Sequence, residues 1–579
     1  MDKESIIKTL EEIALMLELK GENPFKIKAY KNAARIIEVS SLDIDKDIDE
    51  AKLKELSGIG EGLAENIKKL ASGERLDFYE ELKESITPQL LELLKIPGLG
   101  PKKVKFLFEN LDILSIQDLE SAVKQNMLFN LPGFGQKSQE NISNGIDTLK
   151  KYRQFFLYAD VIDEANDIVK KLLSSRNIAR SSVAGSLRRK KETVKDIDMV
   201  AGISEGGSMT EAANYFSALD KISEITSKGE TKISARLNSG INIDLRIVPD
   251  KLYPYLLNHF TGSKEHNTVL RSMAKDLGLK VNEYGIFKGE RLISCESEED
   301  IYKIFNMDYI EPELRENTGE VQSALNKNLP ELLDEKDIKG IFHIHTTFSD
   351  GNISLESLYK KLKRTGYGYA GISDHSQSAF YAGGIKSSQI DSYLKEIDFF
   401  CSQNKDIKIF KGIESDITSD GNLDYSEEIL KKFDFIIASV HSGFGLSEEE
   451  MTQRIIRAIE NKYTTMLAHP TGRLLLSREP YKVDMIKVIN AASINNTAIE
   501  INSNPYRLDL DWRLCKYAKE KKVKIFINPD AHSLEDIDNV KYGVNIARKG
   551  WLEKNDVVNT MELGDIINFL KELKNKKQI

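Results

Sequence analysis

The spacing of hydrophobic and polar residues divides the chain into three regions. Residues 1–150 predict helices joined by short hairpins that contain glycine. From about Tyr152 to Phe305 the pattern is mixed, and segments such as Ile241–Ile247, where apolar and polar residues alternate, predict short strands between helices. From Ile341 onward, short apolar bursts alternate with helical stretches. That alternation is typical of a barrel of parallel strands.

The length of the chain predicts several domains. A single hydrophobic core rarely grows beyond about 250–300 residues, and the chain has 579. The stretch from Arg315 to Lys339 is charged, contains Gly319 and Pro330, and lacks a sustained apolar period. We therefore predict an interdomain linker there.

Composition excludes some classes of protein. With 40% hydrophobic and 30% charged residues, the chain has the balance of a soluble globular protein, and no apolar run approaches the ~20 residues of a membrane helix. The N-terminal residues lack the pattern of a secretion signal, so we expect a cytoplasmic protein with no membrane partner. Cys295, Cys401 and Cys515 are too far apart in sequence to form a paired motif. The net charge of −9 leaves the partner open, because a basic cleft can coexist with acidic surface elsewhere.

A glycine–hydrophobic–glycine segment occurs three times in the N-terminal region. The glycine pairs are offset by 40 and then 35 residues and comprise Gly58 and Gly60, Gly98 and Gly100, and Gly133 and Gly135. Each predicts a hairpin followed by a helix whose first backbone N–H groups are unpaired and suit a phosphate. One copy alone would more often be a simple helix end, but three copies favour a binding element. They resemble helix-hairpin-helix motifs, which hold the DNA backbone without reading its sequence, and Lys102, Lys103 and Lys105 add positive charge to the second copy.

Three aspartates in the middle region are candidate metal ligands. Asp196 and Asp198 are two residues apart in a predicted strand, so their side chains share one face, and Asp244 lies in a later predicted strand. Three carboxylates on adjacent strands repel one another unless a cation joins them, which favours Mg²⁺. An Asp-x-Asp pair alone would more often lie in a surface turn. Gly185 and Ser186, which begin eleven residues earlier, favour the catalytic interpretation.

These residues together resemble the palm of family X DNA polymerases, and Phe260–Ser263 with the residues that follow resembles the family's sugar-contacting turn in the thumb. The resemblance implies nucleotidyl transfer by two Mg²⁺ ions at Asp196, Asp198 and Asp244. It also implies that the incoming nucleotide is bound by Gly185, Ser186, Arg189, Phe260, Gly262, Asn267 and Arg271. His259 stands where the family often has tyrosine, so the usual aromatic barrier to a ribose 2'-hydroxyl is altered.

The segment Pro24–Ala34 is similar to the small domain of the same family, which grips a 5'-phosphate in a gap. The resemblance implies DNA contacts at Lys26 and Tyr30, in addition to the hairpin glycines and lysines. Where the family's sugar-phosphate lyases carry the lysine that forms a Schiff base, this chain has Asn66, and Gly62 replaces another family lysine. An amide cannot replace an amine nucleophile, so we predict little or no lyase activity.

The C-terminal region predicts a metal cluster. Six of the eight histidines fall there, and each candidate ligand lies at or after the end of an apolar burst, where a barrel builds its active site. The candidates are His343, His345, Asp350, His375, Glu414, His441, His469, Asp530 and His532. Six histidines rarely take equivalent positions by chance, whereas a single His-x-His pair would be a weak signal.

The spacing of these ligands, with the run His469–Leu475, resembles the polymerase and histidinol phosphatase (PHP) domain, a trinuclear metal phosphoesterase, in the form attached to bacterial family X polymerases. The resemblance implies three ions. The ligand sets are His343, His345, Glu414 and Asp530; Asp350, His375 and His532; and Glu414, His441 and His469. Asp350 stands where many relatives carry histidine, which favours Mn²⁺ over Zn²⁺, and Asp374 is expected to orient His375 or another ligand.

The sequence thus predicts a multidomain protein with a helical helix-hairpin-helix region, an α+β nucleotidyltransferase palm and thumb, and an α/β PHP barrel. The predicted boundaries are 1–85 for a small DNA-binding domain, 86–150 for a fingers-like domain with two hairpins, 151–250 for the palm, 251–316 for the thumb, 317–338 for the linker and 339–579 for the barrel.

We expect a monomeric DNA-directed DNA polymerase that fills short gaps in DNA repair. Its partners would be gapped or primer-template DNA and deoxynucleoside triphosphates, and its barrel would be a 3'-5' exonuclease that also cleaves abasic sites. A small-molecule phosphatase of the PHP type fused to a DNA-binding scaffold is the alternative. A non-catalytic scaffold for DNA ends is a third interpretation, which the complete carboxylate and metal sets oppose.

Overall fold

A computed structural model describes residues 3–39, 48, 50–56, 58–96, 98–129 and 131–576, and the chain divides into two compact units, 1–153 and 154–579. Among the described residues, no helix combines the length and the hydrophobicity needed to cross a bilayer. Each unit has its own hydrophobic core.

The described part of the first unit is helical. Its helices are α1 (Lys3–Lys20), α2 (Pro24–Val39), α3 (Glu50–Lys54), α4 (Glu61–Ser72), α5 (Asp77–Glu84), α6 (Pro88–Leu93), α7 (Pro101–Leu111), α8 (Ile116–Lys124) and α9 (Gln136–Tyr152). Apolar residues at helical spacing bury one face of each of the first two helices, for example Leu10 and Ile13 on α1 and Ala33 and Ile37 on α2. This confirms the predicted helical N-terminal region.

The second unit begins with α/β structure. Its helices to residue 325 are α10 (Tyr158–Leu173), α11 (Gly185–Arg188), α12 (Met209–Ser217), α13 (Tyr253–Thr261), α14 (Lys264–Asp276), α15 (Glu298–Ile304) and α16 (Glu320–Leu325). Its strands are β1 (Phe156–Leu157), β2 (Ile178–Val183), β3 (Thr193–Val194), β4 (Asp196–Ile203), β5 (Ile222–Lys228), β6 (Lys232–Leu237), β7 (Asn242–Pro249), β8 (Lys280–Asn282), β9 (Gly285–Lys288) and β10 (Arg291–Leu292). The main sheet has the order β2-β4-β7-β6-β5, and its central pair, β4 and β7, is parallel.

The rest of the second unit is a seven-stranded parallel barrel surrounded by helices. The strands, in order around the sheet, are β11 (Gly340–Ile344), β12 (Tyr369–Ile372), β13 (Lys408–Asp416), β14 (Phe435–Ser439), β15 (Met466–Leu467), β16 (Ala498–Asn502) and β17 (Ile525–Asn528). The helices are α17 (Leu355–Thr365), α18 (Ile390–Gln403), α19 (Glu427–Leu430), α20 (Glu448–Glu460), α21 (Met485–Asn495), α22 (Trp512–Glu520), α23 (Val540–Lys549) and α24 (Leu563–Lys576). A parallel bridge between Ile344 and Ala531 nearly closes the barrel. The predicted α/β barrel is therefore confirmed.

The segment predicted as a linker, residues 317–338, is instead packed structure. It contains α16, and Glu320 and Ala324 are fully buried there. Val321 and Ala324 share a hydrophobic core with Tyr302 and with Trp551, which follows α23. Charged residues that predict a solvent-exposed linker instead make buried contacts. For example, Glu320 lies 2.7 Å from the His266 ring.

Candidate catalytic sites

Two parallel strands bring the three predicted carboxylates together. In the register of β4 and β7, Asp198 lies directly opposite Asp244, and Asp196 lies opposite Asn242. The period of two along β4 turns Asp196 toward the same face as Asp198. Asp196 and Asp244 line an open cavity of about 340 Å³. This face of the sheet therefore carries three carboxylates next to a cavity.

Burial and neighbouring carboxylates disfavour the ionisation of Asp196 and Asp198. Burial raises the pKa of Asp198 to about 6, with further contributions from Asp196 and Asp244. Burial and the charge of Asp244 also raise the pKa of Asp196. Hard oxygen donors that repel one another in this way suit a divalent cation such as Mg²⁺, which relieves the repulsion. The residues present fit that ion.

The raised pKa of Asp198 predicts that this carboxyl destabilises the metal-free protein at neutral pH. A carboxyl whose pKa is higher in the folded than in the unfolded protein stabilises the fold below its unfolded value and loses that contribution as the pH rises through about 6. In metal-free protein at pH 7.5, Asp198→Asn should therefore raise the free energy of unfolding, by at most about 3 kcal/mol. Thermal unfolding in chelator should show a higher midpoint for the variant at pH 7.5 and a much smaller gain near pH 4.5. An equal gain at both values would contradict this explanation.

The turn predicted to hold the triphosphate lies against Asp198. Gly185 has φ +59°, and a Cβ atom added to it would lie 2.1 Å from Asp198 Oδ2. The backbone N–H of Ala184 donates to the carbonyl of Asp198 at 2.7 Å. Only glycine fits this position, so the start of the Gly185–Ser186 turn is fixed beside the carboxylates.

The turn predicted to contact the sugar is held by Asn267. The Asn267 side-chain amide donates to the carbonyls of His259 at 2.7 Å and Gly262 at 3.2 Å. The Arg246 guanidinium lies 4.1 Å from the centre of the Phe260 ring. His259, Asn267 and the predicted nucleotide ligand Arg271 line one small pocket.

The prediction that Arg189 contacts the nucleotide is not supported. Arg189 is 9% exposed. Its guanidinium donates to Glu316 at 3.0 Å and to the carbonyl of Thr261 at 2.8 Å. The preceding Arg188 bonds the Thr261 hydroxyl at 2.7 Å and Glu298 at 2.6 Å. Both arginines therefore connect the palm to residues of the thumb. The carboxylates of the thumb provide the partners that buried guanidinium groups require.

The three hairpins of the first unit share one geometry. The first glycine of each has a positive φ (105° at Gly58, 87° at Gly98 and 81° at Gly133). The second glycine begins a helix without a side-chain cap; these glycines are Gly60 before α4, Gly100 before α7 and Gly135 before α9. Each hairpin therefore presents helix N–H groups suited to a phosphate.

The lysines of the second hairpin are not equivalent. Lys102 is exposed, whereas Lys103 donates to the carbonyl of Gly98 at 3.1 Å. Lys105 donates to the carbonyl of Lys20 at the end of α1, at 3.2 Å. Only part of the predicted lysine cluster is directed outward.

Lys26 and Tyr30, which are predicted to contact a 5'-phosphate, both lie beside the Phe78 ring. Lys26 lies 4.3 Å from the centre of the Phe78 ring. Tyr30 is buried, and its hydroxyl accepts a hydrogen bond from the Asn66 amide at 3.0 Å.

All nine predicted barrel ligands meet at the C-terminal ends of the strands. Ligand atoms within 4.8 Å of one another form four overlapping groups, which are His345, Asp350, His375 and His532; His343, His469 and Asp530; His343, His345 and Glu414; and His375, Glu414 and His441. Asp350, His375 and His532 come together as predicted, with His345 added. Glu414 belongs to two of the groups, as predicted. His469 lies 3.1 Å from Glu414, but its ligand atom groups with His343 and Asp530 instead of with Glu414 and His441.

Two features of the described residues indicate that this cluster suits metal ions. Buried ring nitrogens, including Nε2 of His343 and both nitrogens of His345, have no hydrogen-bond partner, which is costly unless an ion takes that role. Three ligands also have left-handed backbone conformations, with φ of 58° at His343, 26° at His469 and 53° at Asp530. Such strain is concentrated at functional sites. Imidazole and carboxylate donors fit Zn²⁺ or Mn²⁺.

The charge of Glu414 is maintained by its neighbours. Burial alone would raise its pKa, but His441, His375 and His343 hold the pKa of this carboxyl well below its usual value. Glu414 is therefore a carboxylate at neutral pH, as a metal ligand must be.

Two carboxylates that the sequence prediction missed orient these histidines. Glu500 contacts Nδ1 of His343 at 2.6 Å and accepts a hydrogen bond from the backbone of His469 at 3.0 Å. Asp416 contacts Nδ1 of His441 at 2.6 Å. Both had a sequence signal, because Glu500 is the only charge in the apolar burst of β16 and Asp416 follows Glu414 by two residues on one strand face.

Asp374 supports the loop of another ligand, Asp350, and not the ring of His375. Its carboxylate accepts hydrogen bonds from the backbone and hydroxyl of Thr346, both at 2.8 Å, and from Ser349 at 2.7 Å. Asp374 thus holds the loop after β11, which leads to Asp350, instead of orienting a histidine ring.

Comparison with protein families gives four matches. These are the DNA polymerase beta thumb at residues 256–316, a helix-hairpin-helix domain at 1–76, a SAM-like helix-hairpin-helix tandem at 90–147 and the PHP domain at 342–504. The matches cover most of the chain and fall where the helical hairpins, the thumb and the barrel lie.

The chain is also similar to individual proteins. It is 37% identical over 575 residues to the DNA polymerase/3'-5' exonuclease PolX of Bacillus subtilis (strain 168), covering 99% of this chain and 100% of that protein. It is 30% identical over 233 residues to a probable phosphatase of Thermoanaerobacter sp. (strain X514), covering 37% of this chain and 92% of that protein. A crystal structure of Leishmania infantum polymerase beta matches 39% of this chain and 98% of its own at 18% identity, with a TM-score of 0.26.

Proposed function

The chain belongs to the family of the DNA polymerase/3'-5' exonuclease PolX, and we propose that it fills short gaps in DNA during repair and removes nucleotides from 3' ends. The observation that carries this proposal is the presence of two separate sets of metal-binding side chains in one chain. One set lies on β4 and β7 and the other at the strand ends of the barrel. The full-length match to PolX supports the pairing of these two activities.

We propose that the palm site adds deoxynucleotides. Asp196, Asp198 and Asp244 would hold Mg²⁺, which supplies positive charge to offset the triphosphate and the departing pyrophosphate. The Gly185–Ser186 turn would bind the triphosphate beside Asp198, and Phe260 and Gly262 would border the deoxyribose. Arg189 acts in this scheme as a support for the Thr261 backbone and not as a nucleotide ligand.

The barrel site would hydrolyse phosphodiesters at 3' ends and at abasic sites. Its nine ligands would hold up to three Mn²⁺ or Zn²⁺ ions, which supply Lewis acidity for the hydrolysis. Glu500 and Asp416 fix the orientation of His343 and His441. Fixed rings keep the donor atoms pointing into the cluster.

The hairpins would hold gapped or primer-template DNA by its backbone, with the protein acting as a monomer. Backbone N–H groups at Gly60, Gly100 and Gly135 carry no information about base sequence. Binding should therefore be general for DNA of suitable geometry.

Primer extension and degradation on gapped DNA test the proposed function. With Mg²⁺ and deoxynucleoside triphosphates the primer should lengthen, and with Mn²⁺ and no nucleotides it should shorten from its 3' end. The match to a probable phosphatase makes a small-molecule phosphatase the alternative. Failure to extend or degrade DNA, together with hydrolysis of phosphate monoesters, would favour that alternative.

We expect no efficient sugar-phosphate lyase activity. Asn66 donates to Tyr30, and Lys69, the nearest lysine to that face of α4, is paired with Glu65 at 2.7 Å. Borohydride trapping of the full chain in chelator on 5'-deoxyribose-phosphate DNA should yield little covalent adduct. An efficient adduct that is lost in Lys69→Ala would show that Lys69 reaches the sugar instead.

A further inference from the structure

Lys549, the last residue of α23, is a fully buried charge between the barrel and the polymerase part of the second unit. Its side chain is 0% exposed. The ammonium group donates to Glu316 at 2.6 Å, to the carbonyl of Arg189 at 3.1 Å and to the carbonyl of Glu313 at 3.3 Å. A buried ammonium persists only where such acceptors surround it, so the barrel supplies a charge that the palm and thumb are built to receive.

The partners of Lys549 lead to the palm site by direct contacts. Glu316 also accepts from Arg189, whose guanidinium donates to the carbonyl of Thr261. Thr261 lies between Phe260 and Gly262, which form the turn assigned to the sugar. Arg189 is also only four residues from Gly185, whose backbone is pressed against Asp198. Both nucleotide-binding turns are therefore joined to one cluster that contains Lys549.

Further salt bridges cross the same junction between the barrel, the thumb and the palm. Arg548 contacts Glu313 at 2.7 Å, and Glu313 contacts Lys190 of the palm at 2.8 Å. The two basic residues at the end of α23 thus contact two acidic residues of the thumb, Glu313 and Glu316, and these in turn hold Lys190 and Arg189. The carboxylates of the palm depend much less on this junction, because the backbone ladder between β4 and β7 sets their positions.

We propose that Lys549 is a positioning residue for the polymerase reaction, through which the barrel fixes the two turns that bind the incoming nucleotide. The proposal rests on the proposed function and adds to it a role of the barrel in nucleotide affinity. Because Lys549 acts on the turns and not on the metal-binding carboxylates, its loss should affect KM for the nucleotide more than kcat. Nuclease activity, which uses other side chains, should not depend on it.

Steady-state primer extension by the full chain tests this role. Lys549→Met keeps the apolar stem and removes the charge, and it should raise KM for the nucleotide about tenfold with a smaller change in kcat. Lys549→Arg should recover much of the loss, since it restores a donor to Glu316. Lys571→Met, at an exposed position on α24, is the matched control and should behave as the parent protein. Degradation of DNA by the same preparations should stay within about twofold.

Several results would overturn the proposal. A KM in Lys549→Met equal to that of the parent would do so, as would parallel loss of extension and degradation with no recovery in Lys549→Arg. If Lys549→Met does not fold, Arg548→Gln provides the test, because Arg548 is nearer the surface and should give a smaller increase in KM. An unchanged KM there would also reject the role. A parent protein that extends no primer would refute the proposed function itself, whereas an active parent with insensitive variants would refute only this inference.

Discussion

Replacing Asp244 with asparagine should reduce nucleotide addition by about 10³-fold or more while degradation of DNA continues. Asp244 lies directly opposite Asp198 in the parallel register of β4 and β7, so its loss removes one of three carboxylates from a single metal-binding face. The same change affects none of the nine barrel ligands. Primer extension with Mg²⁺ and degradation with Mn²⁺ should be measured on one preparation.

Asp220→Asn is a suitable control for this experiment. Asp220 has the same chemistry, but its side chain is 75% exposed and pairs with Lys171 away from the cavity. Both activities should survive its replacement. If Asp244→Asn abolished extension and degradation together, the assignment of the two reactions to separate sites would be wrong.

Much of the palm could be predicted because residues close together in the sequence determine it. The period of two in a strand places Asp196 and Asp198 on one face, and the alternation in Ile241–Ile247 identifies the strand that carries Asp244. The role of Arg189 could not be predicted in this way. Which member of the basic run 188–191 faces the nucleotide depends on Glu298, Glu313 and Glu316, more than a hundred residues later in the chain.

The barrel shows the same division between local and distant information. Its ligands were found because each lies at or after the end of an apolar burst, and a parallel barrel brings such ends together. Glu500 was missed because a carboxylate inside a strand is recognised as a partner of His343 only when β11 and β16 are placed around one centre. The prediction of a linker at residues 317–338 is wrong for a similar reason. Its charged residues predict a solvent-exposed segment until their buried partners are known.

The reciprocal prediction concerns His343. His343→Ala should reduce degradation by about 10³-fold and leave extension nearly unchanged, because it removes an imidazole from the centre of the metal cluster. The ring of His343 is fully buried and lies 3.4 Å from Glu414 and 3.3 Å from Asp530, so its loss opens the cluster next to both carboxylates. Metal content measured on the purified variant should fall together with the nuclease rate.

Glu500→Gln distinguishes a lost ligand from a lost orientation. Glu500 contacts Nδ1 of His343 and leaves Nε2 directed at the cluster, so its replacement should weaken metal binding or activity by only about 10–100-fold. The rate of degradation should therefore fall more in His343→Ala than in Glu500→Gln, whereas the rate of extension should stay nearly unchanged in both. Unchanged nuclease activity in His343→Ala would refute the assignment of the reaction to the barrel, because a site that tolerates loss of that ring cannot depend on the cluster around Glu414.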